Sequence, residues 1–134
     1  MFSVQVSGVE QGTVFALRGE LDFDSMVQLH EAGERELLKG RGAGPVVIDC
    51  SGLLFCDSSG VSALLWLHRQ LSAQGRALRL AAMPARVSRL FALTGLDVVL
   101  SVYADVAGAL GSNSRVIAAG GSDGPAQPNE ELSA

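Results

Sequence analysis

The stretch from Pro45 to Gln74, PVVIDCSGLLFCDSSGVSALLWLHRQLSAQ, constrains the fold of this chain more than any other. Val46, Val47 and Ile48 form a short β-branched run suited to a buried strand. The end of the stretch repeats at helical spacing and is rich in Ala, Leu and Gln. Between them stands Asp57-Ser58-Ser59-Gly60, where the chain turns into that helix. Asp57 suits the N-cap, because its carboxylate can accept bonds from the free N–H groups of the first turn. Ser58 and Ser59 then fall in that turn, at the positive end of the helix dipole. A hydroxyl there can take a phosphate whose charge the N–H groups and dipole help to offset. The segment reads as a phosphorylatable switch. The plain alternative is that Asp57 and the serines only cap a helix.

The rest of the chain supplies a frame for this segment. Phe2, Val4 and Val6 alternate with polar residues, as in a strand with one buried face. Gln11-Gly12 marks a turn, and Thr13 to Arg18 reads as a hairpin partner. Gly19 to Asp24 is a loop that includes the acids Asp22 and Asp24. Ser25 with Gln28 fits a capping box opening a helix that runs to about Lys39. Gly40 to Gly44 is a flexible connection into the central strand. Gly75 stops the central helix, and Leu78 to Ala82 is a fourth strand. Pro84 opens a third helix stopped by Gly95, Val98 to Val102 is a fifth strand, and Asp105 begins a last helix ending near Leu110. Residues 111–134 are Gly, Ser, Pro, Asn and Ala with few large apolar groups, and are expected to be a disordered tail. The order β-β-α-β-α-β-α-β-α predicts one α/β domain over residues 1–110, with a mostly parallel, mixed sheet of about five strands and about four helices.

Composition closes off several function classes. The 134 residues suffice for one domain with a substantial core. A net charge of −4 is not that of a polybasic nucleic-acid binder. Arg69, Arg76, Arg79, Arg86 and Arg89 cluster in sequence and read equally as a solvated face or a surface for an acidic partner. Cys50 and Cys56 have no Cys-x-x-Cys or His-rich company, so they read as buried thiols, and no metal or cofactor is expected. The N-terminus lacks a basic n-region and no apolar run has the length of a membrane span, so the expected location is cytoplasmic.

At about 100° per residue, Val61, Leu64, Leu67, His68 and Leu71 share the arc of the central helix that should face the sheet. Ser58, Ser62, Leu65 and Arg69 fall on the opposite side and describe a docking face, with Trp66 at its edge. The alternative is that Leu65 and Trp66 cover a neighbouring loop. Asp22 and Asp24 are expected near Ser58, where loops after parallel strands gather, either to position a partner or, for Asp24, to start a helix.

Three separated motifs resemble the STAS domain family: Gly19-Glu20-Leu21-Asp22, the central stretch from Val47 to Gly60, and Val87 to Leu96. More narrowly the chain is similar to bacterial anti-sigma factor antagonists. The resemblance implies that Ser58, the first serine of Asp-Ser-Ser-Gly, is phosphorylated by a partner that is both anti-sigma factor and serine kinase. It implies that the unphosphorylated form binds that kinase and frees a sigma factor, that phosphorylation abolishes binding, and that a serine phosphatase resets the switch. No direct contact with nucleic acid or membrane is implied. Asp57, Ser59 and Gly60 join Asp22, Asp24, Ser62, Leu65 and Arg69 as expected partner-binding positions, with Ser59 chiefly supporting the turn. The rival is a non-switching STAS module, a subunit of a signalling assembly or of a lipid transporter.

Enzymatic readings fit poorly. Cys56 stands where a Gly-x-Ser-x-Gly elbow needs its first glycine, and His68 is on the inward arc, ten residues past Ser58. Lys39 is the only lysine and belongs to no phosphate-binding loop, while His30-Glu31 lacks the second histidine of a zinc protease helix. The expectation is a binding protein, not an enzyme.

Overall fold

A computed structural model describes residues 1–111. The central strand, β3 (Val46–Cys56), is longer than its β-branched start suggests. It lies between β2 (Gly12–Leu21) and β4 (Leu78–Ala81), parallel to both. β1 (Ser3–Val9) pairs antiparallel with β2 on one edge, and β5 (Ser101–Tyr103) lies parallel to β4 on the other. The sheet order is β1-β2-β3-β4-β5, the mixed five-stranded arrangement expected. Helices α1 (Met26–Leu37), α2 (Ser58–Ala73) and α3 (Ala85–Thr94) carry the crossovers. A short α4 (Leu96–Val99) and α5 (Val106–Gly111) complete the described chain, giving five helices where about four were expected. The reading of 111–134 as a tail lies, beyond Gly111, outside the described residues.

Strand alternation sorts the core into two layers. Val46, Ile48, Cys50, Leu78 and Leu80 turn to one face and pack with Leu29 of α1, Leu64, Leu67 and Leu71 of α2, and Val87 and Phe91 of α3. Val47, Ala81 and Tyr103 turn to the other face and meet Ala109 of α5. The two long helices approach closely because Gly33 offers no side chain: a Cβ there would stand 3.0 Å from both Leu67 Cδ1 and Trp66 Cζ3. Trp66 instead lies against His30, ring centroids 4.2 Å apart.

At the end of the sheet away from Ser58, a buried ionic cluster locks α1 to the loop after α2. Arg76 Nη2 lies 2.6 Å from Glu36 Oε2, both side chains 1% exposed. Thr13 donates to the same carboxylate at 2.8 Å, Lys39 Nζ reaches it at 3.1 Å, and Arg76 Nε donates to Gly44 O at 2.8 Å. Burial alone would raise the Glu36 pKa, but Arg76, Thr13 and Lys39 outweigh it and hold the carboxyl below its ordinary range. Arg76 is therefore part neither of a solvated arginine face nor of a surface for an acidic partner, the two readings that the sequence left open. Arg79 is half-buried as well, donating to Ala109 O at 2.7 Å and lying over Tyr103.

Three further expectations change. Val98 and Val99 are not strand: Gly95 at φ 77° ends α3 and Leu96–Val99 forms a helical turn, with Leu100 N–H donating to Leu96 O, so β5 starts only at Ser101. The capping box at Ser25 does not form. Ser25 occupies the N-cap position in helical conformation, and its hydroxyl faces back into the loop rather than capping α1. β2 runs on past Arg18 to Leu21, because β3 keeps pairing with it through two irregularities in register.

Candidate functional site

β3 delivers the chain to Asp57, whose extended backbone (φ −100°, ψ −172°) breaks the strand and opens α2. Asp57 Oδ1 accepts from Ser59 N–H at 2.9 Å and Gly60 N–H at 3.0 Å, while Asp57 O accepts from Val61 N–H at 3.0 Å. These bonds occupy three donors of the first turn, as the N-cap reading requires. Asp57 N–H in turn donates to Leu21 O at 3.1 Å, tying the helix start to the end of β2. Gly60 makes that approach possible. A Cβ on it would stand 2.7 Å from Leu21 O and 2.9 Å from Cys56 Sγ, closer than real contacts allow. Ser58 lies two residues earlier, about 200° around the helix. With Gly60 pressed inward, Ser58 is turned out and exposed.

The loop 22–25 follows Leu21 directly and so borders the same corner. Asp22 is half-buried, its carboxylate accepting from Ser25 N–H at 3.0 Å. The Ser25 N–H and hydroxyl hold the Asp22 carboxyl below its ordinary pKa. The Ser25 hydroxyl accepts from Asp22 N–H at 2.9 Å and lies 2.8 Å from Glu20 O, which pins the loop from below. Asp24 is exposed and sits one residue outside the N-cap position of α1. Of the two acids, Asp22 follows directly on Leu21, whose carbonyl accepts from Asp57 N–H.

The rest of the expected face is uneven. Ser62 and Arg69 are exposed, Ser59 is half-buried and Gly60 is buried. Leu65 is half-buried and packs against the main core, and Trp66 covers α1 rather than a loop. What sequence reasoning missed are three large apolar side chains standing in water at this corner: Phe23 (69% exposed), Leu54 (56%) and Phe55 (51%). The register explains two of them. From Ala16 to Arg18 β2 advances two residues while β3 advances three, Asp49 to Gly52. From Gly19 to Glu20 it advances one while β3 advances two, Leu53 to Phe55. β3 thus carries two extra residues, the second being Leu54, and such bulges re-aim the side chains around them. In the sequence Leu53-Leu54-Phe55 looks like buried strand throughout. Phe23 did leave a signal, an aromatic residue set between two acids in a loop.

The thiols nearby are chemically quiet. Burial first, with the Asp57 charge second, pushes the Cys56 pKa up to about 12, and burial raises Cys50 to about 12. Neither is ionised near neutral pH. His68 lies ten residues along α2 from Ser58, about 15 Å of helical rise, and its Nδ1 is buried without a hydrogen-bond partner. Among the described residues no cluster of His, Cys, Asp or Glu is arranged to hold a metal ion, and no helix is long and apolar enough to cross a membrane.

Residues 4–102 match the profile of the family described as "Mlab, STAS domain", which covers most of the chain. This chain belongs to the STAS family. Among solved structures it is similar to an anti-sigma factor antagonist from Mycobacterium paratuberculosis, with 24% identity, 82% of this chain and 92% of that one covered, and a TM-score of 0.73. It is similar to the anti-sigma factor antagonist SpoIIAA in its unphosphorylated form, at 26% identity, 75% and 87% coverage and TM-score 0.63. The phosphorylated form of Bacillus SpoIIAA matches at 24% identity, 75% and 90% coverage and TM-score 0.58. A sulfate transporter family protein from Wolinella succinogenes shares the fold at 16% identity, 78% and 85% coverage and TM-score 0.63. In the STAS domain described here, the Asp57–Gly60 turn ends the strand at the centre of that shared sheet.

Proposed function

We propose that this STAS domain is an anti-sigma factor antagonist switched by phosphorylation of Ser58. Unphosphorylated, it binds an anti-sigma factor serine kinase and releases a sigma factor; phosphorylated, it lets the kinase go until a serine phosphatase restores it. The observation that carries this reading is the exposed Ser58 hydroxyl at the first position of a 16-residue helix, with Asp57 capping that helix. A phosphate adds about −1.5 to −2 charges there, where the helix dipole favours an anion, so the fold has no reason to change. Across an interface the same charge costs hydration and repels acids. A hundredfold loss of affinity needs only about 2.7 kcal/mol. The similarity to SpoIIAA, known in phosphorylated and unphosphorylated forms, supports the assignment.

The test uses the full chain with Mg-ATP and, one at a time, the anti-sigma factor serine kinases of its own genome, with phosphate mapped by mass spectrometry. One phosphate on Ser58, absent in Ser58→Ala, is the expected result. A chain that none of them modifies overturns the reading. The description of the matching family and the likeness to a sulfate transporter family protein favour a second reading, a non-switching STAS subunit of a transporter or signalling assembly. That reading predicts a stable complex with its assembly that is indifferent to ATP and to Ser58→Ala.

A further inference from the structure

α3 buries two side chains, Val87 and Phe91, and its other residues are exposed. At helical spacing Arg86, Arg89, Leu90 and Leu93 share the outward side. Val98 and Val99 of α4 extend the apolar part at the base of the helix, Leu93 and Val98 being 80% and 79% exposed. This face is basic over the first half of α3 and apolar below it. Neither arginine has a salt-bridge partner among the described residues, and both stand toward the helix end whose dipole disfavours cations. From Ser58 to Ala104 the one acid is Asp97, half-buried in the first turn of α4. β3 also packs against α3, but its Asp49 alternates with Val47 to the other face of the sheet.

The sequence beyond the described part carries the matching pattern. Its end, Asn129-Glu130-Glu131-Leu132-Ser133-Ala134, sets two acids beside Leu132, the one large apolar residue after Ile117. We infer that residues 129–134 dock on this face of α3 in the same chain, Glu130 and Glu131 against Arg86 and Arg89 and Leu132 against Leu90 and Leu93, so that the face stays closed until an acidic partner displaces the chain's own end. The rest of that stretch matches less well: Asp123 has no large apolar neighbour, and Val116-Ile117 follows Arg115, a charge of the wrong sign. Length allows the contact. Residues 112–129 span up to about 60 Å when extended, whereas a domain of about 110 residues is roughly 34 Å across. Exposed ion pairs are individually weak, but a tethered segment meets its surface at roughly millimolar effective concentration. Contacts too weak to hold a free peptide suffice there. Nothing in this inference depends on phosphorylation of Ser58.

The probe is a nitroxide at Ser133→Cys in the full chain, read on the backbone amides by NMR. Cys50 and Cys56 are buried and not ionised near neutral pH, so the label attaches at the new thiol alone. At about 20 mM salt, where charges are poorly screened, the amide signals of Arg86 to Leu93 and of Val98 and Val99 should lose most of their intensity. Those of β1, a strand without a charged residue, should keep theirs. The loss should shrink at about 500 mM salt, where the screening length is roughly 4 Å. Glu130→Lys with Glu131→Lys should abolish it, and adding Arg86→Glu with Arg89→Glu should bring it back, which a merely damaged surface would not do. Both arginines are exposed, so circular dichroism should not change. The tail variant leaves α3 intact and decides alone if the arginine variants fail to fold. An unaffected α3, a loss spread evenly over the surface, or a loss that survives high salt or the Glu130 and Glu131 reversals overturns the inference. In a mixture of spin-labelled chain with isotope-labelled chain lacking the nitroxide, α3 should keep its intensity. A loss there means that the end docks on a second copy, and closure within one chain is overturned.

Discussion

Gly60 and Asp57 do more for the exposure of Ser58 than Ser58 itself. Gly60 lets the first turn of α2 seat on Leu21 O, and Asp57 satisfies the donors that the seated turn leaves open. Asp57→Ala should cost about 1 kcal/mol of stability, and Asp57→Asn much less, because an amide oxygen can still accept both bonds. Chemical denaturation of the two variants checks this. Gly60→Ala should cost about 1–3 kcal/mol, since the neighbour that must yield is backbone as well as the Leu21 side chain. At this scale the sequence was informative wherever a residue acts on its own segment: the Asp57 cap is local chemistry and was readable. The Gly60 contact was not, because its partners, Leu21 and Cys56, are set by the approach of two elements. Leu65 shows the same limit, since helical spacing turned it outward and packing drew it against the core.

Among the elements, the junction of α1 with the loop after α2 is the clearest target. Arg76→Met should cost about 3–5 kcal/mol, because Glu36 is then left buried without its guanidinium. The Glu36 carboxyl titrates below its ordinary value in the folded chain. The unfolded chain therefore binds the proton first as pH falls. The stability this group contributes is complete above its unfolded pKa of about 4.3 and is lost as pH drops through the lower folded value. Asp22, also held down, acts in the same direction. Melting temperature should thus fall as the medium is acidified below about pH 4, and Glu36→Gln, though less stable at neutral pH, should show a shallower acid dependence. Boundaries between elements explain what the sequence hid. Val98 and Val99 have strand-forming side chains, yet the left-handed Gly95 commits them to a helical turn and leaves them exposed. β3 outran its β-branched start because pairing with β2 survives two bulges; Gly52, a glycine inside a strand run where the first register shift closes, is the one mark of a bulge in Ser51-Gly52-Leu53-Leu54-Phe55, and nothing there marks the second.

For the molecule as a whole, the alternation of strands and helices was enough to give a mixed five-stranded sheet, and the sheet in turn put the Asp57–Gly60 turn at its centre. The apolar corner beside Ser58 was not legible, because exposure is a property of the assembled surface. The account predicts a switch that alters contacts and leaves the fold alone. Amide NMR shifts of the phosphorylated chain should move in the first turn of α2 and the loop 22–25 and stay fixed in β4, β5 and the Glu36–Arg76 junction. The most direct measurement is calorimetric titration of the kinase with the full chain, once unphosphorylated and once phosphorylated on Ser58. The account predicts that phosphate lowers the affinity by about a hundredfold or more, whereas equal affinity for the two forms would contradict it.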